Sequence, residues 1–113
     1  MSANRRRGEI AAELDGRPRK LCLTLGALAE LETAYAAADL AALVERFSSG
    51  RLSALDMVRL IGAGLRGAGE AVCDEEVGAM QCEGGATGFA AIVADLLSTT
   101  FGVGQPAESG ENP

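Results

Sequence analysis

Histidine and tryptophan are absent from this chain of 113 residues, and tyrosine occurs only once. Without histidine, the zinc sites that use histidine ligands and the nucleophilic sites that pair serine or cysteine with histidine are excluded. The three cysteines, Cys22, Cys73 and Cys82, form an odd set with irregular spacing, which is a poor basis for a disulfide framework or a structural zinc site. We therefore interpret them as reduced, mostly packed thiols rather than reactive ones, and we expect no catalytic residue, no metal and no cofactor.

Long apolar runs and a basic surface are missing as well. No run approaches the roughly 18 apolar residues of a membrane-spanning helix, and the N-terminus lacks the apolar segment of a signal peptide. The formal charge is −6, and residues 8–101 hold 14 acidic against 7 basic side chains, whereas a nucleic-acid-binding domain normally presents a basic face. The sequence therefore predicts a cytoplasmic protein that has neither a nucleic acid nor a membrane as its partner.

Two short runs near the N-terminus alternate between apolar and polar residues, which is typical of strands. The Asp15-Gly16 step between them favours a tight reversal, so the sequence predicts a β-hairpin with one apolar face. That face comprises Ile10, Ala12 and Leu14 from the first run and Leu21, Leu23 and Leu25 from the second. Because two strands alone are marginal in water, we expect helices to cover it.

Beyond Thr24 the apolar period changes from two residues to three or four, which indicates helices. We predict a helix capped by Thr24, a short one opened by Asp39, a third opened by a capping box, a fourth that starts at 74–76 and a last one capped by Thr87. The last helix, through Phe101, has the most regular apolar stripe and is expected to close the core. The predicted fold class is α+β, with an N-terminal β-hairpin packed on a bundle of about four to five short helices.

The composition divides the chain into three parts. Residues 1–7, with an arginine triplet at 5–7, are predicted to be a flexible basic N-terminus. Residues 8–101 are predicted to form a single α+β domain. Residues 102–113 are rich in Gly, Pro, Glu and Asn and are predicted to be a disordered C-terminal tail.

Two motifs invite a chemical interpretation. Residues 62–67 match the dinucleotide-binding pattern G-x-G-x-x-G, but the run before them carries a helix start signal, so we interpret the glycines as a closely packed helix end. The acidic cluster Asp74, Glu75 and Glu76 could bind calcium or magnesium, and it equally suits the positive end of a helix dipole. We favour the second interpretation.

The whole sequence resembles a family of small proteins encoded in the tail-gene clusters of alphaproteobacterial gene transfer agents and related prophages. The resemblance runs from about Arg7 to Phe101 and is carried by the segments GEIAAELDG, LTLGALAELE, FSSGRLSALDMVRLIGAGLRGAG and DEEV. The family is described both as a tail tube protein and as a tail assembly chaperone. The resemblance therefore implies a non-catalytic protein of phage tail morphogenesis.

A tail tube protein and a tail assembly chaperone require different structures. A tube subunit builds a ring from a broad sheet, and one short hairpin offers little sheet, so we favour a tail assembly chaperone; the alternative is a structural tail tube component carried in the particle. The resemblance implies other tail proteins as partners: a tape measure protein, tail tube subunits and a possible longer chaperone partner. Hypothetical partner-binding residues lie on or beside the two shorter helices: Leu40, Leu43, Phe47 and Met80.

Overall fold

The structure, a computed structural model, describes residues 3–102. A one-turn 3-10 helix, Arg5–Arg7, precedes a hairpin, and most residues after the hairpin are helical. The strands and helices are β1 (Glu9–Leu14), β2 (Arg17–Cys22), α1 (Leu25–Tyr35), α2 (Leu40–Ser48), α3 (Ala54–Gly67), α4 (Asp74–Gly78) and α5 (Gly85–Phe101). The predicted α+β class, a hairpin followed by short helices, is confirmed.

The hairpin forms because its two-residue loop has the required backbone conformation. Asp15 and Gly16 have φ angles of 55° and 76°, the positive values of a type I′ turn, whose twist matches that of the flanking strands. The turn sets the antiparallel register, in which Leu14 faces Arg17 and Glu9 faces Cys22.

The apolar face of the hairpin lies against α3 and α5, which pack on β2 and β1 respectively. Ile10, Leu14 and Leu21 are exposed by 1% or less, and Leu23 is also buried. The prediction that Leu25 continues this row is wrong, because 78% of its surface is exposed. α1 begins at Leu25, so the side-chain direction there follows the helix rather than the two-residue period of a strand.

The predicted start signals of the first three helices are confirmed. Thr24 accepts a hydrogen bond from the Ala27 N–H, and Asp39 accepts one from the Ala42 N–H. Ser53 and Asp56 form a reciprocal capping box. Each cap binds backbone N–H groups that the helix cannot pair internally.

α5 begins earlier than predicted. The prediction that Thr87 caps this helix is wrong, because the helix starts at Gly85 and Gly84 occupies the cap position with a φ of 91°. Glycine adopts this conformation without steric cost, and the Gly84-Gly85 pair therefore allows the helix to start two residues before the hydroxyl. Val93 and Leu96 are fully buried, while the rest of the apolar stripe is half-buried against the core.

The three glycines of the G-x-G-x-x-G pattern all lie within α3, and two of them, Gly64 and Gly67, allow this helix to approach the hairpin closely. A methyl group on Gly64 would lie 3.0 Å from Cδ2 of Leu96 and 3.2 Å from Cβ of Leu21. A methyl group on Gly67 would overlap the backbone carbonyl oxygen of Cys22. The interpretation of this segment as a closely packed helix end is confirmed.

The N-terminal segment predicted to be flexible contains the 3-10 helix, and its first arginine reaches α5. Arg5 donates to Asp95 at 2.5 Å and to the Thr99 hydroxyl at 2.9 Å. Arg6 and Arg7 are exposed. The mobility of residues 1–7 stays a prediction, and the predicted C-terminal tail lies outside the described residues except for Gly102.

Candidate partner interface

An apolar groove of about 210 Å³ opens between α3, α4 and α5. It exists because α4 has only five residues and cannot cover the full length of its two longer neighbours. The groove is lined by Ala54, Met57, Val58, Ile61, Val77, Gly78, Met80, Ala86 and Phe89. Every lining residue is apolar, so the groove can hold apolar side chains and has no group for acid–base or nucleophilic chemistry.

Burial varies across the groove in a regular way. Ile61 and Val77, at its floor, are 1% and 3% exposed. Met57, Met80 and Phe89 are half-buried along the walls. Two of these wall residues are methionines, whose flexible thioether side chains adapt to partners of different shape.

The first turn of α4 carries exposed carboxylates, although none of them lines the groove. Glu75 and Glu76 are exposed in the first turn of this helix, directly before the lining residue Val77. Glu76 accepts the Cys73 N–H at 2.9 Å, and this hydrogen bond holds the pKa of Glu76 below its ordinary value. The carboxylate is therefore ionised at neutral pH, and it adds negative charge to the exposed start of α4.

The four residues predicted to bind a partner do not share one surface. Leu43 and Phe47 are 0% and 5% exposed, because they lie on the side of α2 that packs on α1. Leu40, at the start of α2, is 40% exposed, and Met80 lies in the groove, which has no lining residue from α2. The predicted surface is thus corrected at Leu43 and Phe47, which belong to the core. Partner binding by Leu40 and Met80 stays a prediction.

Val58 and Phe89 line the groove, although their sequence context is that of ordinary core stripes. Val58 and Phe89 are spaced three or four residues from buried apolar residues of their own helices. This spacing does not show that α4, which faces them, is short. The one signal in the sequence is the Gly84-Gly85 break, which follows ten residues after the start of the acidic segment at 74–76 and limits the helix there to fewer than three turns.

A buried carboxylate joins α1, α2 and α3. Asp56 is 3% exposed and accepts hydrogen bonds from the Tyr35 hydroxyl at 2.5 Å, the Ser53 N–H at 2.9 Å and the Arg46 guanidinium at 3.3 Å. Burial by itself raises the pKa of Asp56, but these three partners outweigh it and the pKa lies below its ordinary value. Because its oxygens are already occupied, we assign Asp56 a structural role.

Two of the thiols are poorly suited to nucleophilic chemistry. Burial raises the pKa of Cys22, with a further increase from the nearby Glu9 carboxylate, and burial raises the pKa of Cys82. A raised pKa leaves less thiolate at neutral pH. All three cysteines are free. Cys22 and Cys82 are half-buried, and Cys73 is exposed at the start of α4.

Residues 3–102 were also compared with what metal binding and membrane insertion require. Within this range no three Cys, Asp or Glu side chains come together in a group that could hold a metal ion. Asp74 of the acidic cluster binds Arg66 at 3.0 Å, and the same arginine binds Glu30 at 2.6 Å. No helix in this range has the length and apolar character that crossing a membrane requires.

Comparison with known proteins identifies a family. A family model described as "Phage tail tube protein, GTA-gp10" matches residues 7–103, which include the hairpin, the helices α1 to α5 and the groove. No curated protein matches the chain, and no solved structure matches it.

Proposed function

Since the chain belongs to the phage tail tube protein, GTA-gp10 family, we propose that it acts in assembly of a phage-like tail as a non-catalytic tail assembly chaperone. In this role the protein holds a tail protein in the cytoplasm until the tail assembles, and then leaves. The tape measure protein is the proposed client, and tail tube subunits and a longer chaperone partner are the other proposed contacts.

The observation that supports a chaperone over a tube subunit is the small size of the sheet. Within residues 3–102 the sheet has two strands of six residues each, and its apolar face is already covered by α3 and α5. A subunit that continues a sheet from copy to copy around a ring needs strands that can pair on both sides. A compact helical body suits a protein that binds one client at a time.

The groove between α3, α4 and α5 is the proposed client-binding surface, and an amphipathic helix is the proposed occupant. Helices bind such grooves by inserting apolar side chains spaced three and four residues apart. The carboxylates of Glu75 and Glu76 on α4 favour a client helix that carries lysine or arginine beside its apolar stripe. The net charge of −6 favours the same kind of client.

The alternative is a structural tail tube component, and the description of the family favours it. The two roles differ in where the protein ends up. Quantitative mass spectrometry of purified tail-bearing particles, compared with the whole-cell lysate, separates them. We expect abundance in the lysate and near absence from particles; many copies per particle in fixed ratio to other tail proteins would establish the structural role instead.

A second experiment tests the groove itself. We expect Met80→Glu to reduce capture of the co-expressed tape measure protein, because it places a charge in the apolar groove. Leu25→Glu is the matched control, since Leu25 is also accessible but lies outside the groove. Circular dichroism verifies that both variants are folded. Equal capture by the two variants, or loss only with Leu25→Glu, would refute the groove as the client site.

A further inference from the structure

β1 has a backbone edge that faces away from β2, and its two ends show which residues lie along it. The Glu9 N–H donates to the Asn4 carbonyl at 3.1 Å, and the Asp15 N–H donates to the Gln81 carbonyl at 2.8 Å. Backbone groups alternate in direction along an antiparallel strand. Ala11 and Glu13 therefore also direct their N–H and C=O groups away from β2.

These two residues offer an unpaired stretch of edge. Within residues 3–102 no backbone hydrogen bond is found between Ala11 or Glu13 and any residue outside the hairpin, and both residues are exposed. The outer edge of β2 differs, because Pro18 lies there opposite Glu13 and has no N–H to donate. An added strand therefore finds the N–H and C=O groups of both Ala11 and Glu13 on the β1 edge, whereas Pro18 on the β2 edge offers only a carbonyl.

A groove of about 380 Å³ runs beside this edge, between β1 and α5. Its wall on the α5 side includes Gly88, Ala91 and Ile92, and Glu13 and Glu83 also line it. None of the lining residues is a lysine or arginine. Asp95 also lines the groove and is already paired with Arg5, whereas Glu13 has no ion-pair partner among residues 3–102.

We propose that the free edge of β1 binds an extended, cationic segment of a partner protein as a third strand of the sheet. Main-chain hydrogen bonds to Ala11 and Glu13 supply the affinity, as in other cases of strand addition. This surface is separate from the α3–α4–α5 groove, and the proposal does not depend on which role the protein has in the tail.

The side chains of the hairpin indicate what the added strand must carry. Residues directly opposite each other in neighbouring strands share a face of the sheet, so the residue opposite Glu13 lies on the exposed face and is best a lysine or arginine. Its neighbours lie on the other face, beside Ala12 and Ile92, and are best small and apolar. The favoured segment therefore alternates basic and small apolar residues.

A second copy of this chain fits the edge poorly. Antiparallel pairing of two β1 strands about Ala11 places Glu9 opposite Glu13 twice, and like charges directly opposite each other destabilise a sheet. The C-terminal residues 103–113 fit poorly as well, since their charged side chains are Glu108 and Glu111. Charge complementarity thus favours a different, basic chain.

The test uses the full chain and a synthetic hexapeptide of alternating lysine and valine, with binding measured by fluorescence anisotropy. We expect Ala11→Pro to weaken binding by about tenfold or more, because it removes one outward N–H and disturbs its neighbours. Ala11→Val is the matched control; it keeps the N–H and should bind like the wild type. Circular dichroism and thermal melting report whether each variant folds.

Two further measurements keep the proposal testable if Ala11→Pro fails to fold. A peptide N-methylated on the amides that would face β1 should lose binding, and Glu13→Lys should reverse the preference from a lysine-valine peptide to a glutamate-valine peptide. Absence of binding at millimolar peptide would overturn the proposal. Binding that survives both proline substitution and N-methylation would also overturn it, because it would show charge attraction without strand pairing.

Discussion

Two leucines three residues apart on α2 have opposite environments. Leu40 is 40% exposed at the first position of the helix, whereas Leu43 is fully buried. Phe47, four residues further on, shares the buried face and packs edge-on against the Tyr35 ring with the centroids 5.3 Å apart. Spacing of three or four residues usually places side chains on one face, yet only Leu43 and Phe47 are buried on α2.

This difference predicts different costs of truncation. Leu43→Ala should lower the free energy of unfolding by about 2–5 kcal/mol, because it leaves a cavity in the core. Leu40→Ala should change it by less than about 1 kcal/mol, because the side chain is partly in water already. Urea denaturation followed by circular dichroism measures both, and similar losses for the two variants would contradict the structure.

Asp56 predicts a stability difference that depends on pH. The partners of its carboxylate hold the folded-state pKa below the unfolded value, so the carboxylate stabilises the fold above pH of about 4, and this contribution is lost as the pH falls through the folded-state pKa. Asp56→Asn should therefore cost about 1–3 kcal/mol at pH 7 and clearly less at pH 3.

Urea midpoints of the wild type and Asp56→Asn at both pH values measure this difference. Asp95→Asn is a suitable control, because that carboxylate is paired at the surface, where ion pairs contribute at most about 1 kcal/mol. An Asp56→Asn penalty that is the same at pH 3 and pH 7 would show that the charge of Asp56 is unimportant.

At the scale of elements, the contact between α3 and the hairpin determines the shape of the core. α3 packs against β2, α1, α4 and α5, and Gly64 and Gly67 allow its C-terminal half to lie close to the sheet. The glycines weaken the helix by up to about 1 kcal/mol each. Close packing of the helix on β2 offsets that cost.

Gly67→Ala tests this contact. Alanine favours a helix, but here its methyl group would overlap the Cys22 carbonyl oxygen, so we expect a net loss of about 1–3 kcal/mol in the free energy of unfolding. Gly26→Ala is the matched control in α1, where the nearest atom is the Thr24 hydroxyl at 3.9 Å. It should be neutral or stabilising by up to about 1 kcal/mol. Chemical denaturation that gives the two variants the same sign would contradict the packing described.

The elements were predictable from sequence where a single local signal determines them. The Asp15-Gly16 turn, the Thr24 and Asp39 caps and the capping box at Ser53 each act over a few residues, and the structure has all of them. Thr87 misleads because two glycines upstream start the helix with no side-chain cap. A local sequence pattern shows which hydrogen bonds a residue can make. It does not show at which of two candidate residues the helix begins.

The candidate site was predictable only in part, because it depends on which elements lie side by side. Met80 is among the predicted partner-binding residues and lies in the groove, yet the sequence groups it with Leu43 and Phe47, which are buried. Burial of α2 depends on α1, and exposure of the groove depends on the length of α4. The spacing of apolar residues within one segment shows neither of these two dependences.

At the scale of the whole molecule, acidic side chains outnumber basic ones, and the net charge is −6. Most of the ten Lys and Arg residues form ion pairs with neighbouring carboxylates: Arg5, Arg7, Arg17, Arg19, Lys20, Arg46 and Arg66. The excess negative charge therefore remains available to attract cationic partners over a distance comparable to the Debye length, about 10 Å at 0.1 M salt.

The charge predicts a strong salt dependence of partner association. The association rate constant of the lysine-valine peptide should fall by about tenfold between roughly 10 mM and 100 mM salt, because screening shortens the range of attraction. Stopped-flow fluorescence measures this rate. The dissociation rate constant should change far less, since it depends on short-range contacts; a salt effect confined to dissociation would refute steering by the net charge.

The order in which the elements pack has a consequence for synthesis on the ribosome. The hairpin is made first, but its cover includes Val93 and Leu96 of α5, and about 70 residues separate Cys22 from Leu96. At roughly 5–20 residues per second, synthesis of α5 is complete roughly 4–14 s after synthesis of the hairpin.

A two-stranded hairpin is marginal by itself. The synthesis of α5, rather than that of the first strand, therefore determines when this protein folds. A message that ends before codon 93 would yield a chain whose apolar strand face has no cover.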